Sequence, residues 1–64
     1  MIEFTLPDMT CGHCVQTVTR TVQRVDAQAK VQIDLPTQHV RVESSHPRDE
    51  FASALAAEGY PAAA

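Results

Sequence analysis

Apolar and polar residues alternate at the start of the chain: Ile2, Phe4 and Leu6 are separated by Glu3 and Thr5. This period of two is the pattern of a strand with one buried face. Pro7-Asp8 ends the run, and a loop follows. From Gly12 to Val25 the period changes, with Val15, Val18, Val22 and Val25 recurring at steps of three and four, one stripe of a helix. The Val and Thr content of this segment gives poor intrinsic helix propensity, so the helix is expected to depend on packing against a sheet. Alternation returns at Ala29, Val31, Ile33 and Leu35, interleaved with Lys30, Gln32 and Asp34, which predicts a second strand. Pro36-Thr37-Gln38 reads as a short turn, and Val40-Arg41-Val42-Glu43 as a returning third strand. Ser44-Ser45-His46-Pro47 marks the start of a second helix. Ser45 or His46 is its expected cap, Pro47 suits the first turn, and Asp49 and Glu50 favour the positive end of the dipole. Phe51, Ala52, Leu55 and Ala56 line one face, and Gly59 is the expected left-handed end. Tyr60 to Ala64 is expected to form a short last strand, which Pro61 confines to a sheet edge.

Strand, helix, strand, strand, helix, strand is the βαββαβ order of a ferredoxin-like α+β sandwich, a four-stranded antiparallel sheet with two helices on one face. Residues 1–64 are read as a single domain. With no Trp, one Tyr and two Phe, the core must be built mainly from Val, Ile, Leu and Ala. The net charge is −3 without a basic run, which argues against nucleic acid as a partner. No segment approaches the length of a membrane span, so no membrane insertion is expected. Met1 to Arg20 lacks a charged start followed by an apolar stretch, so no signal peptide is expected either. A reducing, cytoplasmic setting is the resulting expectation, and there thiols stay free to bind.

The chemistry lies in Met9-Thr10-Cys11-Gly12-His13-Cys14, which holds the only two cysteines of the chain. A Cys11–Cys14 disulfide would close too small a loop to stabilise the fold much, so the pair is read as functional. C-x-x-C where a loop becomes a helix is either a metal clip or a redox couple. Helix-terminal N–H groups favour thiolate over thiol. That help matters, because at an ordinary pKa only about 3% of a cysteine is ionised at pH 7. Two thiolates are too few for a tetrahedral structural zinc site but suit a soft ion with few ligands, above all Cu(I). A surface-held, two-coordinate ion stays open to attack by a third thiolate, which is the chemistry of a carrier. The competing reading is a small thioredoxin-like dithiol oxidoreductase, since Cys-Gly-His-Cys is also the tetrapeptide typical of protein disulfide isomerases. Context argues against it: Thr10 stands where a Trp commonly precedes the first cysteine, and the chain is short.

Met-Thr-Cys-Gly-His-Cys after a first strand, with Glu-Gly-Tyr after the second helix, resembles the heavy-metal-associated (HMA) domain family, its small bacterial CopZ-like copper chaperones above all. The resemblance covers essentially the whole chain. It implies the ferredoxin-like fold, no enzymatic activity, Cu(I) bound by Cys11 and Cys14, and delivery to the metal-binding domains of a copper-transporting P-type ATPase. Asp8 departs from the glycine usual in the family, without removing a ligand. Met9 is read as an apolar anchor for the loop rather than a thioether ligand. Gly12 is read as letting the backbone bend around an ion. His13 is read as a solvated residue that modulates the site, with an auxiliary ligand role as the sharper alternative. Tyr60 is expected both to pack and, as the family implies, to shield the metal. His39 and His46 are expected at the surface, as are Arg20 and Arg24, four apart on the polar side of the first helix. Exposed two-sulfur sites also allow a copper-bridged homodimer. Because C-x-x-C selects soft metals only loosely, a mercury, zinc or cadmium carrier is the alternative within the same class.

Overall fold

The computed structural model describes residues 2–63. Along the chain run β1 (Ile2–Thr5), α1 (Gly12–Val25), β2 (Lys30–Asp34), β3 (His39–Glu43) and α2 (Arg48–Ala57). The strands form an antiparallel sheet in the order β1-β3-β2. Val40 of β3 lies between Phe4 and Ile33, and Val42 between Ile2 and Val31. The alternation read from the sequence therefore places its apolar set on one face of the sheet. Both helices cover that face, and Phe4, Leu6, Val18, Val22, Val40, Val42, Phe51 and Leu55 close into one core.

The valine-rich stripe of α1 forms as expected. Val18 and Val22 are fully buried, with Val15 and Val25 packed at the margin. Burying each of the first two stabilises by roughly 1.5–3 kcal/mol. The propensity deficit of a Val or Thr is below about 1 kcal/mol, so packing wins. The threonines are accommodated by bonding back along the helix. Thr17, Thr19 and Thr21 donate to the carbonyls of His13, Val15 and Thr17 at 3.2, 2.9 and 2.8 Å. The last of these bonds lets the Thr21 hydroxyl sit in the core without an unmet partner.

Two expectations are corrected. The sheet has three strands among the described residues, not four. Residues 60–63 run beside β1 without entering a ladder, tied by one bond from the Ala63 N–H to the Thr5 carbonyl at 2.8 Å. Pro61 has no N–H to donate, and the alanines beyond it offer little side chain to pack. Ala64, the end of the expected strand, lies outside the described residues. Secondly, neither Ser45 nor His46 caps α2. Pro47 occupies the cap position, with no side-chain cap bond. Ser44 instead accepts the His46 N–H at 3.0 Å and donates to Asp26 Oδ2 at 2.6 Å, which ties the chain before α2 to the end of α1.

The far end of α2 closes as the glycine predicts. Gly59 takes φ +90°, the Gly59 N–H donates to Ala56 and the Tyr60 N–H to Leu55, at 3.1 and 2.9 Å. This paired arrangement is a Schellman ending. It reverses the chain and returns Tyr60 toward the start of α1.

Candidate metal centre

The site loop leaves β1 at Leu6 and is pinned at once. The Met9 N–H donates to the Leu6 carbonyl at 3.0 Å, and the Met9 side chain is fully buried in the core. Met9 is thus the anchor that the sequence suggests. Two residues later Cys11 takes an extended backbone (φ −149°, ψ 170°) as the cap residue of α1, without a side-chain cap bond. No acidic residue lies in the first turn of α1, so the positive end of the helix is left to whatever the thiols bind.

The two sulfurs lie 3.1 Å apart, and both thiols are free. Their surroundings differ. Cys11 is exposed, whereas Cys14 is 8% exposed and continues the buried stripe of α1 with Val18, Thr21 and Val22. Its sulfur also faces the Asp8 carbonyl at 4.0 Å. The Cys14 thiol is brought down to about 7, chiefly by the Tyr60 hydroxyl directed at its sulfur, then by the Cys11 thiol and the backbone of Thr10, against the opposing effect of burial. That raises the thiolate share of Cys14 at neutral pH above that of an ordinary cysteine. The same contact pushes the Tyr60 hydroxyl up, because a phenolate beside a thiolate is disfavoured.

The remaining expected residues are placed as follows. Tyr60 is half-buried, packs against the core and has its hydroxyl near Cys14. His13 is exposed, and among the described residues no three His, Cys, Asp or Glu side chains gather as a metal site. In this conformation His13 therefore does not join the sulfurs. Gly12 is the first residue of α1, and a Cβ there would meet nothing within 4 Å. The extended backbone of Cys11 makes the turn into the helix. His39 Nε2 and His46 Nδ1 each lie 2.6 Å from a carboxylate oxygen, of Glu3 and Glu50 respectively. Arg24 reaches Glu58 at 3.8 Å across the helices, an exposed pair worth little.

The sequence reading missed one contributor. Thr17, whose hydroxyl donates to the His13 carbonyl, is the weakest influence on the Tyr60 hydroxyl and opposes its upward shift. Its position three residues after Cys14, on the same helical face, is a signal that could have found it.

Chemically, this is a pair of soft donors, one buried with its thiol pKa lowered and one exposed, and among the described residues no third His, Cys, Asp or Glu side chain gathers with them. Fold and site together define a small soft-metal-binding domain of the βαββα type. The chain belongs to the heavy-metal-associated domain family, whose profile matches residues 3–61. Human copper transport protein ATOX1 is 40% identical over 48 residues, covering 75% of this chain and 69% of that protein. A structure of the copper chaperone Atx1 from Synechocystis PCC6803 (a trimeric His61Tyr mutant form) superposes with a TM-score of 0.94 at 36% identity, covering 98% of this chain and all of the other. A crystal structure described as a gold binding protein superposes with a TM-score of 0.93 at 40% identity, covering 97% and 95% of the two chains. The chain is thus a homologue of the Atx1 and ATOX1 copper chaperones, which are carriers rather than enzymes. Family membership also sets aside the thioredoxin-like alternative.

Proposed function

We propose that this protein is a cytosolic Cu(I) carrier in which Cys11 and Cys14 are the metal ligands, and that it passes copper by thiolate exchange to the metal-binding domains of a copper-transporting P-type ATPase. One observation carries the reading: two free thiols 3.1 Å apart at a helix start, one buried and one exposed. Metal–thiolate bonds of about 2.3 Å, the zinc value, would set the sulfurs about 4.6 Å apart in a linear arrangement and about 3.8 Å in a tetrahedral one. Either way the pair must open on loading. Cys14 is fixed in the core, so Cys11 is the sulfur that moves. The same freedom lets Cys11 leave first when a partner thiolate attacks, while Cys14 retains the ion until the second exchange. Met9 anchors the loop, Tyr60 keeps water from the Cys14 side, and His13 modulates the exposed side.

The similarity to a gold binding protein supports a second reading of the cargo, another soft ion. A copper-bridged homodimer follows from the same exposed geometry, and the trimeric form of the Synechocystis chaperone is in keeping with assembly of such domains. No helix of the described residues is long and apolar enough to cross a membrane, which agrees with a carrier that meets its partner by diffusion.

Transfer tests the proposal. The Cu(I)-loaded protein, mixed anaerobically with an excess of an isolated amino-terminal domain of a copper-transporting ATPase and then separated by ion exchange, should lose most of its copper within minutes. Copper that stays with the carrier under those conditions would contradict the delivery role.

A further inference from the structure

The turn between β2 and β3 holds a residue that turn geometry alone does not explain. Gln38 takes φ +60°, the sole non-glycine residue in the left-handed region among the described residues. Side chains rarely adopt that conformation, whereas glycine does so freely. Three hydrogen bonds hold it there. Its N–H donates to the Leu35 carbonyl at 3.1 Å, closing the turn, and its carbonyl accepts the Leu6 N–H at 2.9 Å. The third bond uses the side chain: Nε2 donates to the Pro7 carbonyl at 2.9 Å, between residues 31 positions apart. A glycine would serve the first two bonds with less strain. Only a long side chain ending in a donor can make the third.

We infer that Gln38 is a positioning residue for the metal loop, gripping its base at Leu6 and Pro7 so that Cys11 and Cys14 are presented in one arrangement. The inference rests on the carrier reading of that loop. Gln38 grips the strand exit from outside, and Met9 holds the next turn through the bond to Leu6 and its buried side chain. Asp8, between those two fixed points, directs its carbonyl at the Cys14 sulfur. Released at Pro7, the segment from Pro7 to Thr10 would keep only the Met9 anchor, and the Asp8 carbonyl would be free to swing. A loop fixed beforehand loses less freedom when an ion binds, which favours binding. Backbone strain of this kind persists only where surrounding bonds over-determine it, as these three do.

Two variants separate strain from reach. Gln38→Gly relieves the backbone and removes the amide. Gln38→Asn tolerates the left-handed backbone, but its amide falls one methylene short of Pro7. Each is compared with the wild type by Cu(I) competition against a chromophoric chelator, by amide hydrogen exchange at Met9 in the metal-free protein, and by thermal unfolding. Both variants should lose about two- to tenfold in Cu(I) affinity, the range of one neutral hydrogen bond. Met9 should exchange faster in both, and the melting temperature of Gln38→Gly should not fall below that of the wild type. Unchanged Met9 exchange, or faster exchange with unchanged affinity, would overturn the inference. So would a drop in melting temperature that accounts for the affinity lost, because Gln38 would then be a structural residue only. A wild type that fails to hold Cu(I) would refute the carrier reading instead, and Met9 exchange would still decide the role of Gln38.

Discussion

Cys11 and Cys14 share a motif but not an environment, and the difference is set by single neighbours. Cys14 belongs to the core stripe of α1 and feels the nearby Tyr60 hydroxyl; Cys11 faces solvent. Because Tyr60 is the largest influence holding the Cys14 thiol down to about 7, Tyr60→Phe should raise it. In a titration followed by thiolate absorbance, the Cys14 step should move to higher pH while the fold is retained. A Cys14 step unmoved in that variant would show that the helix start and Cys11 suffice. The cysteine pair was legible in its spacing at a helix start, whereas the burial of Met9 and the nearness of Tyr60 to the cysteines were expected from the family resemblance and its fold. The division of labour was not. Counting four residues back from Val18 extends the valine stripe to Cys14, but a cysteine in a metal motif carries no sign of its burial. The extended cap residue Cys11 makes the turn into α1, a detail the motif does not spell out. Gln38 carried no sequence signal, because a left-handed glutamine looks like any polar turn residue.

At the scale of elements, α2 acts as a strut. Its Schellman ending turns Tyr60 toward the site, and the segment before its first turn is held at the other end of the helix. There Ser44 bonds Asp26, the His46 N–H bonds Ser44, and His46 Nδ1 lies 2.6 Å from Glu50. The Glu50 carboxylate, with Asp26 adding to it, raises the His46 imidazole above its ordinary value, whereas Ser44 and the Gln28 amide hold the Asp26 carboxyl below its own. The two act in opposite directions with pH. The stabilisation from His46 is complete below its unfolded pKa of about 6.5 and is lost as pH rises through the higher folded value. That from Asp26 is complete above about 3.9 and is lost as pH falls through its lower folded value. In urea unfolding, His46→Gln should therefore be less stable than the wild type at mildly acidic pH, and the two should converge at alkaline pH. A constant difference across that range would assign the effect to packing of the imidazole against Phe51, whose ring lies edge-on to it at 6.3 Å. Strand and helix periodicity made five elements legible to within a residue or so. Among the described residues the sixth does not form, because Pro61, Ala62 and Ala63 supply little of the donor capacity and side-chain surface that a ladder requires.

For the whole molecule, a small core serves mainly to hold one end in shape. The sheet fixes the exit of β1, α1 presents the first turn, the β2–β3 turn grips the loop, and α2 brings the covering tyrosine. Among the described residues no three His, Cys, Asp or Glu side chains gather around the pair, as a structural site would require. An open site on a rigid frame suits temporary custody of a soft metal. It also makes the central claim direct to test. The decisive measurement is an anaerobic Cu(I) titration of the reduced protein against a chromophoric Cu(I) chelator, repeated with Zn(II) and with the Cys11→Ser and Cys14→Ser variants. The account predicts one equivalent of Cu(I), held far more tightly than zinc and released by either substitution. Cu(I) affinity unchanged in both variants, or zinc held more tightly than Cu(I), would contradict it.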